Sequence, residues 1–344
     1  MSLYNKLCDV NNWKYYNRMP FRDYRETQEN PVVFILQYFQ NGGKYNFIQD
    51  VVYQNDEGRA RHVINTYFLG LYLKNHLDFL KPKSLFFKDR NFLWAWFLCS
   101  LYHDAFFNDL VEDGNEICYD YCKYSEGLLY TQKTIEKYYA KNKNPKTSYN
   151  GIVHYDHGIV AASKLYKNYM VMLNDAVRNG EQNIQDLFTE NGIYVRENLI
   201  INHDTFISLC KIAKVIACHN IFVCDDKTQE EKYEKSGLAH LIVNDNRFHK
   251  MPHRNFFSTD DYGKLYYLLA LTDTLEPTKR KIDMNDLDFE IENQNGRYVI
   301  NILGTLNKEY LRGIDNLKNW LKGVKIENNG RRIVLEGIFG YKKQ

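Results

Sequence analysis

An uninterrupted apolar run, FLWAWFLCSLY at residues 92–102, ends directly on His103-Asp104. Its 11 residues fall well short of the roughly 20 needed to cross a bilayer, so the run predicts a buried helix of a soluble protein. A carboxylate at the end of such a helix is costly to bury alone, and an adjacent imidazole and carboxylate can be aimed at one cation. A positive partner is therefore expected at His103-Asp104. The chain start, MSLYNKLCDVNN, lacks a basic stretch followed by an apolar one and predicts no signal peptide.

The same helical texture recurs through the middle of the chain. Apolar periodicity predicts helices over 59–80, 91–103, 116–140, 157–177, 205–221 and 261–275, an all-α region. Between them, KNKNPKTSYNG (141–151) and DDKTQEEKYEKSG (225–237) are expected to be surface loops. After Pro277 the pattern changes. Residues 287–303 predict two strands around the turn at 293–296, 307–323 an amphipathic helix, and 324–338 two further strands around Asn328-Asn329-Gly330. The expected architecture is mainly α, with an N-terminal extension at 1–54, a helical domain at 55–282 and a small ββαββ appendage of α+β type at 283–344. Within the extension, 32–39 is expected to be helical before the break at Asn41-Gly42-Gly43.

Composition narrows the partners. The 45 Lys+Arg and 43 Asp+Glu leave a formal charge of +2, too even for a nucleic-acid or anionic-membrane surface, so any phosphate binding must be local. No G-x-x-x-x-G-K-[ST] sequence is present, which excludes P-loop nucleotide binding. The seven cysteines are odd in number, and Cys99, Cys210 and Cys218 lie in apolar helical runs, which predicts reduced thiols and a cytoplasmic protein. Cys118 and Cys122 lack the second pair that a structural zinc site requires.

Two more polar residues stand in apolar helical settings: His62 in GRARHVINTYFLGLYL and Asp273 in YYLLALTDTLEPTKR. Together His62, His103, Asp104 and Asp273 offer two nitrogens and two oxygens, a set suited to iron, manganese or magnesium with positions left for water. The dyad His203-Asp204 is read differently, because Asp204 precedes TFISLCKIAKVIA as an ordinary helix N-cap. Glu116, at a predicted helix start, is read either as an outer carboxylate or as a residue favoured by the helix dipole. His76, His240, His249 and His253 are expected on the surface or in loops.

The order H…HD…D resembles the HD-domain metal-dependent phosphohydrolases. HYDHGIVAASKLY (154–166) is similar to the family's His-bearing helix start and VIACHNIF (215–222) to its apolar helix ending in His, extending the pattern to H-HD-H-H-D. His157 and His219 are the matching positions, with His154 three residues before His157 as its substitute. TDTLEPTKR (272–280) is similar to the D-x-x-E-P-x-R motif of the bacterial symmetrical dinucleoside-tetraphosphatase HD family, and Arg59 fits that family's R-x-x-H start. HDAFFNDLVEDGNE is similar to a further HD group with HDA-x-Y-D followed by D-N-E, although HDAFF departs from the usual HD-I-G-K or HD-I-A-K.

The resemblance covers about 59–280 and implies an HD-domain helical bundle. It implies one or two divalent ions held by His62, His103, Asp104, His157, His219 and Asp273, with Asp104 bridging if two bind. Asp104 and His103 would be the catalytic pair, and Arg59, Lys279 and Arg280 the contacts to substrate phosphate. The implied activity is hydrolysis of a nucleotide-type phosphoester or phosphoanhydride, dinucleoside polyphosphates first, by water activated at the metal. A cyclic mononucleotide or cyclic dinucleotide phosphodiesterase and a non-catalytic nucleotide-sensing module are the alternatives.

Overall fold

The computed structural model describes residues 1–9, 11, 24–33, 35, 57–80, 89–104, 148–149, 152–153, 158, 161–162, 165, 193–196, 199–202, 212–213, 215–216, 219, 261–321 and 323–337. Within these residues the chain is mostly helical, with a small antiparallel sheet at the C-terminal end. Two short N-terminal helices, α1 (Leu3–Cys8) and α2 (Tyr24–Glu29), pack beside three long ones: α3 (Glu57–His76), α4 (Asp89–Tyr102) and α5 (Asp261–Leu275). No helix among the described residues is long and apolar enough to cross a membrane. Cys8 and Cys99 are free thiols among the described residues, and burial pushes the Cys99 thiol well up from its ordinary value.

The three long helices hold the core, and their mutual packing explains the polar pairs found on them. Helix α3 is buried almost continuously from Ala60 to Lys74. It meets α4 closely at Gly70, where a Cβ would lie 2.0 Å from Trp96 Cζ2. Trp96 is wholly buried, and its indole N–H donates to the Tyr67 carbonyl at 3.0 Å, satisfying the one polar atom that such a ring carries inward. Tyr67 meets Phe97 edge to face at 5.9 Å, extending the α3–α4 seam. Because α5 contacts both α3 and α4, the ends of all three helices come together on one side of the core.

The structure differs from the sequence expectation in several places. The helix expected over 59–80 ends at His76, and Asp78–Leu80 forms a separate 3-10 turn. The helix expected over 307–323 divides into α6 (Lys308–Asp315) and α7 (Leu317–Trp320), with the turn residue Asn316 between them. The middle region is not all-α. It carries an antiparallel strand pair β1 (Ser148–Tyr149) and β2 (Ile152–Val153), and a hairpin β3 (Ile193–Arg196) and β4 (Leu199–Asn202). The sequence between the first two strands reads Asn150-Gly151, a hairpin signal that the helical texture around it obscures. The helices expected over 116–140, 157–177 and 205–221 and most of that at 32–39 lie outside the described residues, apart from scattered helical positions such as Ala161, Ala162, Ile212 and Ile216.

The C-terminal sheet has the order β5-β6-β8-β7, formed by β5 (Leu287–Gln294), β6 (Arg297–Gly304), β7 (Val324–Glu327) and β8 (Arg332–Leu335), all antiparallel. Strands β5 and β6 pair from Leu287 opposite Gly304 to Gln294 opposite Arg297, leaving Asn295 (φ 56°) and Gly296 (φ 84°) as a two-residue turn. That pair of left-handed residues matches the right-handed twist of the strands. The sheet is fastened to the helices by buried side chains. Phe79 packs on Tyr298 at 5.3 Å, Tyr72 Oη donates to the Phe289 carbonyl, and Tyr310 Oη donates to the Leu275 carbonyl at 2.8 Å. Helix α1 reaches the same sheet through Lys6, which pairs with Asp288 and donates to the Phe289 carbonyl, both at 2.7 Å.

Candidate metal centre

Helix α3 delivers Arg59 and His62 from adjacent positions on one face, three residues apart. Helix α4 ends at Tyr102, so His103 and Asp104 occupy the turn that follows and point out of the helix end. Asp273 comes from the last turn of α5. His62, His103, Asp104 and Asp273 offer ligand atoms that all lie within 4.8 Å of one another, and three of the four residues are buried.

The hydrogen bonds behind the imidazoles determine what faces inward. His62 Nδ1 donates to Glu276 Oε2 at 2.7 Å, His103 Nδ1 to the Ser100 carbonyl at 2.8 Å, and His219 Nδ1 to the Ile216 carbonyl at 2.6 Å. A carboxylate or carbonyl oxygen can only accept, so the proton belongs on Nδ1 in each ring and the neutral form turns an Nε2 lone pair inward. His62 Nε2 and His103 Nε2 then stand 3.3 Å apart. Two lone pairs at that distance repel, and either a proton on one Nε2 or a metal ion bound by both relieves the repulsion. Asp273 Oδ1 is 3.1 Å from His62 Nε2 and 3.4 Å from His103 Nε2, while Asp104 Oδ2 is 3.4 Å from His62 Nε2. Buried imidazoles, each oriented by an outer acceptor and set beside two carboxylates, fit a divalent metal ion.

His219 approaches from the other side of Asp104. Its Nε2 and that of His103 are each 4.0 Å from Asp104 Oδ1, and the two rings meet edge to face at 5.3 Å. His157, its alternative His154, Glu116 and His203-Asp204 lie outside the described residues.

Two cations face the carboxylates. Arg59 Nη1 is 2.5 Å from Asp104 Oδ2, and Lys279 Nζ lies 2.9 Å from Asp273 Oδ1 and 3.4 Å from Asp104 Oδ2. Arg280 does not join them. Its guanidinium donates to the Thr274 carbonyl at 3.0 Å, lies against Gly313 and sits over the Tyr310 ring, in the contact between α5 and α6. The reason is local geometry: Thr278–Arg280 is a 3-10 turn, in which successive side chains diverge by about 120°. Lys279 turns to the cluster and Arg280 turns away.

The electrostatics follow from this crowding. Burial and the Lys279 ammonium press the His62 pKa down, but hydrogen bonds to Asp273 and Glu276 outweigh them and raise it. Burial would raise Asp273, yet Lys279 and the two imidazoles hold its carboxyl well below the ordinary value. Burial likewise opposes ionisation of Glu276, and its bonds from His62, Thr278 and Lys279 prevail and lower it. Lys279 is disfavoured as a cation by burial but raised by Asp273 and Asp104.

Glu276 is the residue whose role the sequence did not disclose. It is wholly buried, and its carboxylate accepts from Asn65 Nδ2, Thr278 N, Thr278 Oγ1, Lys279 N and His62. Glu276-Pro277 is visible as part of TDTLEPTKR, and Asn65 as a polar residue in an apolar helix one turn from His62, but neither pattern reveals which atoms they meet. No protein-family model, curated protein or solved structure matches the chain, so the assignment rests on the geometry: a buried His/Asp group that could hold a metal ion.

Proposed function

We propose that the chain is a metal-dependent phosphohydrolase similar to the HD-domain enzymes, acting on a nucleotide-type phosphoester or phosphoanhydride. The observation that carries the reading is the convergence of His62 Nε2 and His103 Nε2, 3.3 Å apart with both Nδ1 atoms committed elsewhere, on Asp104 and Asp273. Two nitrogens and two carboxylate oxygens suit iron, manganese or magnesium. A bound divalent ion supplies Lewis acidity, bringing the pKa of water towards neutrality and polarising a phosphoryl oxygen.

The chain's own residues supply the rest. Asp104 and Asp273 would bring negative charge to the ion; Asp104 Oδ2 lies 3.4 Å from His62 Nε2, and Oδ1 lies 4.0 Å from His103 Nε2 and His219 Nε2, so Asp104 would be the residue shared if two ions were bound. Arg59 and Lys279, whose side chains keep 18% and 31% of their exposure, stand at the solvent side of the cluster. They neutralise the carboxylates in the metal-free protein and are positioned to meet phosphoryl oxygens that gain charge in the transition state. Arg280 has no part in this scheme.

A panel of nucleotides with manganese or iron tests the reading. Release of nucleoside diphosphate from a symmetric dinucleoside tetraphosphate supports it, and a linear product from a cyclic nucleotide would move the substrate class to phosphodiesters. Tight nucleotide binding without turnover, with any of these metals, would contradict an enzymatic role.

A further inference from the structure

We propose that Tyr24, in the N-terminal segment, is a positioning residue of the metal centre, acting through Asn65 and Glu276 on the His62 imidazole. The proposal rests on reading the cluster as a metal site and adds a part of the chain that the H-HD-H-H-D pattern does not include. Tyr24, Asn65 and Glu276 are each wholly buried. Tyr24 Oη lies 2.5 Å from Asn65 Oδ1, a distance at which the phenol donates to the amide carbonyl. That bond fixes which way the amide points: Nδ2 is turned to Glu276 Oε1 and Thr278 Oγ1, both at 3.1 Å. With Asn65 reversed, a carbonyl oxygen would face a carboxylate and the phenol would lose its acceptor.

Glu276 is thereby pinned at both oxygens. Oε1 accepts from Asn65 Nδ2, from Thr278 N at 2.9 Å and from Thr278 Oγ1 at 2.5 Å; Oε2 accepts from Lys279 N at 3.0 Å and His62 Nδ1 at 2.7 Å. An outer carboxylate that holds a ligand histidine sets its tautomer and ring angle. The Tyr24 ring is itself clamped, edge to face on Phe68 at 5.0 Å and on Tyr4 at 5.6 Å, with Met284 Sδ 3.1 Å from its hydroxyl. The phenol thus links α2 to a ligand on α3 by buried hydrogen bonds, where each bond is electrostatically stronger than in water.

The test uses the full chain and Co(II) as probe. Tyr24→Phe keeps the ring and its packing and removes only the hydroxyl. Loss of a direct outer partner of a metal ligand costs roughly 10–100-fold in affinity, so Glu276→Gln is expected in that range and Tyr24→Phe, two bonds further out, at about 3–10-fold. Both variants are expected to shift the Co(II) ligand-field absorption, and Tyr24→Phe to move the His62 Nδ1 proton resonance of the metal-free protein, with unchanged circular dichroism. Those spectroscopic readouts would not respond to a purely structural tyrosine. Wild-type affinity, absorption and His62 resonance in Tyr24→Phe overturn the proposal alone; a wild-type chain that takes up no Co(II) overturns the metal reading and the proposal with it.

Discussion

Replacing Asp104 by Asn removes one charge from the centre of the cluster while keeping the size of the side chain and the turn that carries it. The carboxylate is wholly buried, and Oδ2 alone meets Arg59 at 2.5 Å, Lys279 at 3.4 Å and His62 Nε2 at 3.4 Å. At an effective dielectric of about 20, a unit charge pair at 3.4 Å is worth about 5 kcal/mol before desolvation. Removing one partner of a buried pair costs about 3–5 kcal/mol net. Arg59 and Lys279 keep 18% and 31% of their side-chain exposure and can turn to water, so the loss in the metal-free protein is expected at or below about 3 kcal/mol. The effect on metal is larger than the roughly 10–100-fold that follows loss of an outer partner, because Asp104 supplies ligand oxygens directly. The assay is thermal unfolding with and without manganese, alongside calorimetric titration. Manganese is expected to raise the wild-type midpoint by preferential binding to the native state and to leave Asp104→Asn unmoved. A variant that binds manganese with wild-type affinity, or hydrolyses nucleotide at the wild-type rate, would refute the reasoning.

Other perturbations separate the site from its scaffold. Gly70→Ala forces a methyl into Trp96; overpacking at the upper end of about 1–3 kcal/mol, less about 1 kcal/mol of improved helix propensity, is expected to lower stability by up to about 2 kcal/mol in denaturant titration without changing metal affinity. Arg280→Met is expected to weaken the α5–α6 contact and lower the melting midpoint while leaving the KM for nucleotide near wild type, whereas Lys279→Met raises KM; equal effects of the two on KM would contradict the placement of Arg280. Burial raises the Tyr72 phenol to about 12 and pushes Tyr24, Tyr267 and Tyr310 up as well. The folded state binds these protons more tightly, so that stability is complete below the unfolded value of 10.0 and is lost as pH rises above it, with tyrosinate absorbance expected to appear together with unfolding. Glu276 has the opposite sign: its lowered pKa contributes stability above the unfolded value of 4.5 that disappears as pH falls, and Glu276→Gln is expected to flatten the acid limb of the unfolding curve.

The elements that carry the cluster were legible because their signals are strong and local. Helix α5 spans the residues its periodicity predicts, and α4 differs by two residues at its start and one at its end. His62, Asp104 and Asp273 stand out because a polar group in an apolar helical run needs a partner. The β5–β6 turn was visible as Asn295-Gly296. What escaped detection depends on distance along the chain or on backbone atoms. Strands β1 to β4, of two to four residues, sit among helical periodicities that mask them, whereas the equally short β7 and β8 are marked by the Asn328-Asn329-Gly330 turn between them. The acceptors that orient His103 and His219 are carbonyls, which have no sequence signature. Glu276 meets His62 from 214 positions away, and Tyr24 meets Asn65 from 41, so neither contact is written in a local motif. Lys279 and Arg280 are adjacent and chemically alike, and only the 3-10 turn distinguishes them.

The most direct test is the metal content of the full chain purified without chelator, measured beside His62→Gln and Asp104→Asn prepared identically. The account predicts a stoichiometric divalent transition metal or magnesium in the wild-type protein, lost from both variants with helical content retained. A wild-type chain that carries no metal and takes up none when iron, manganese or magnesium is added would contradict it.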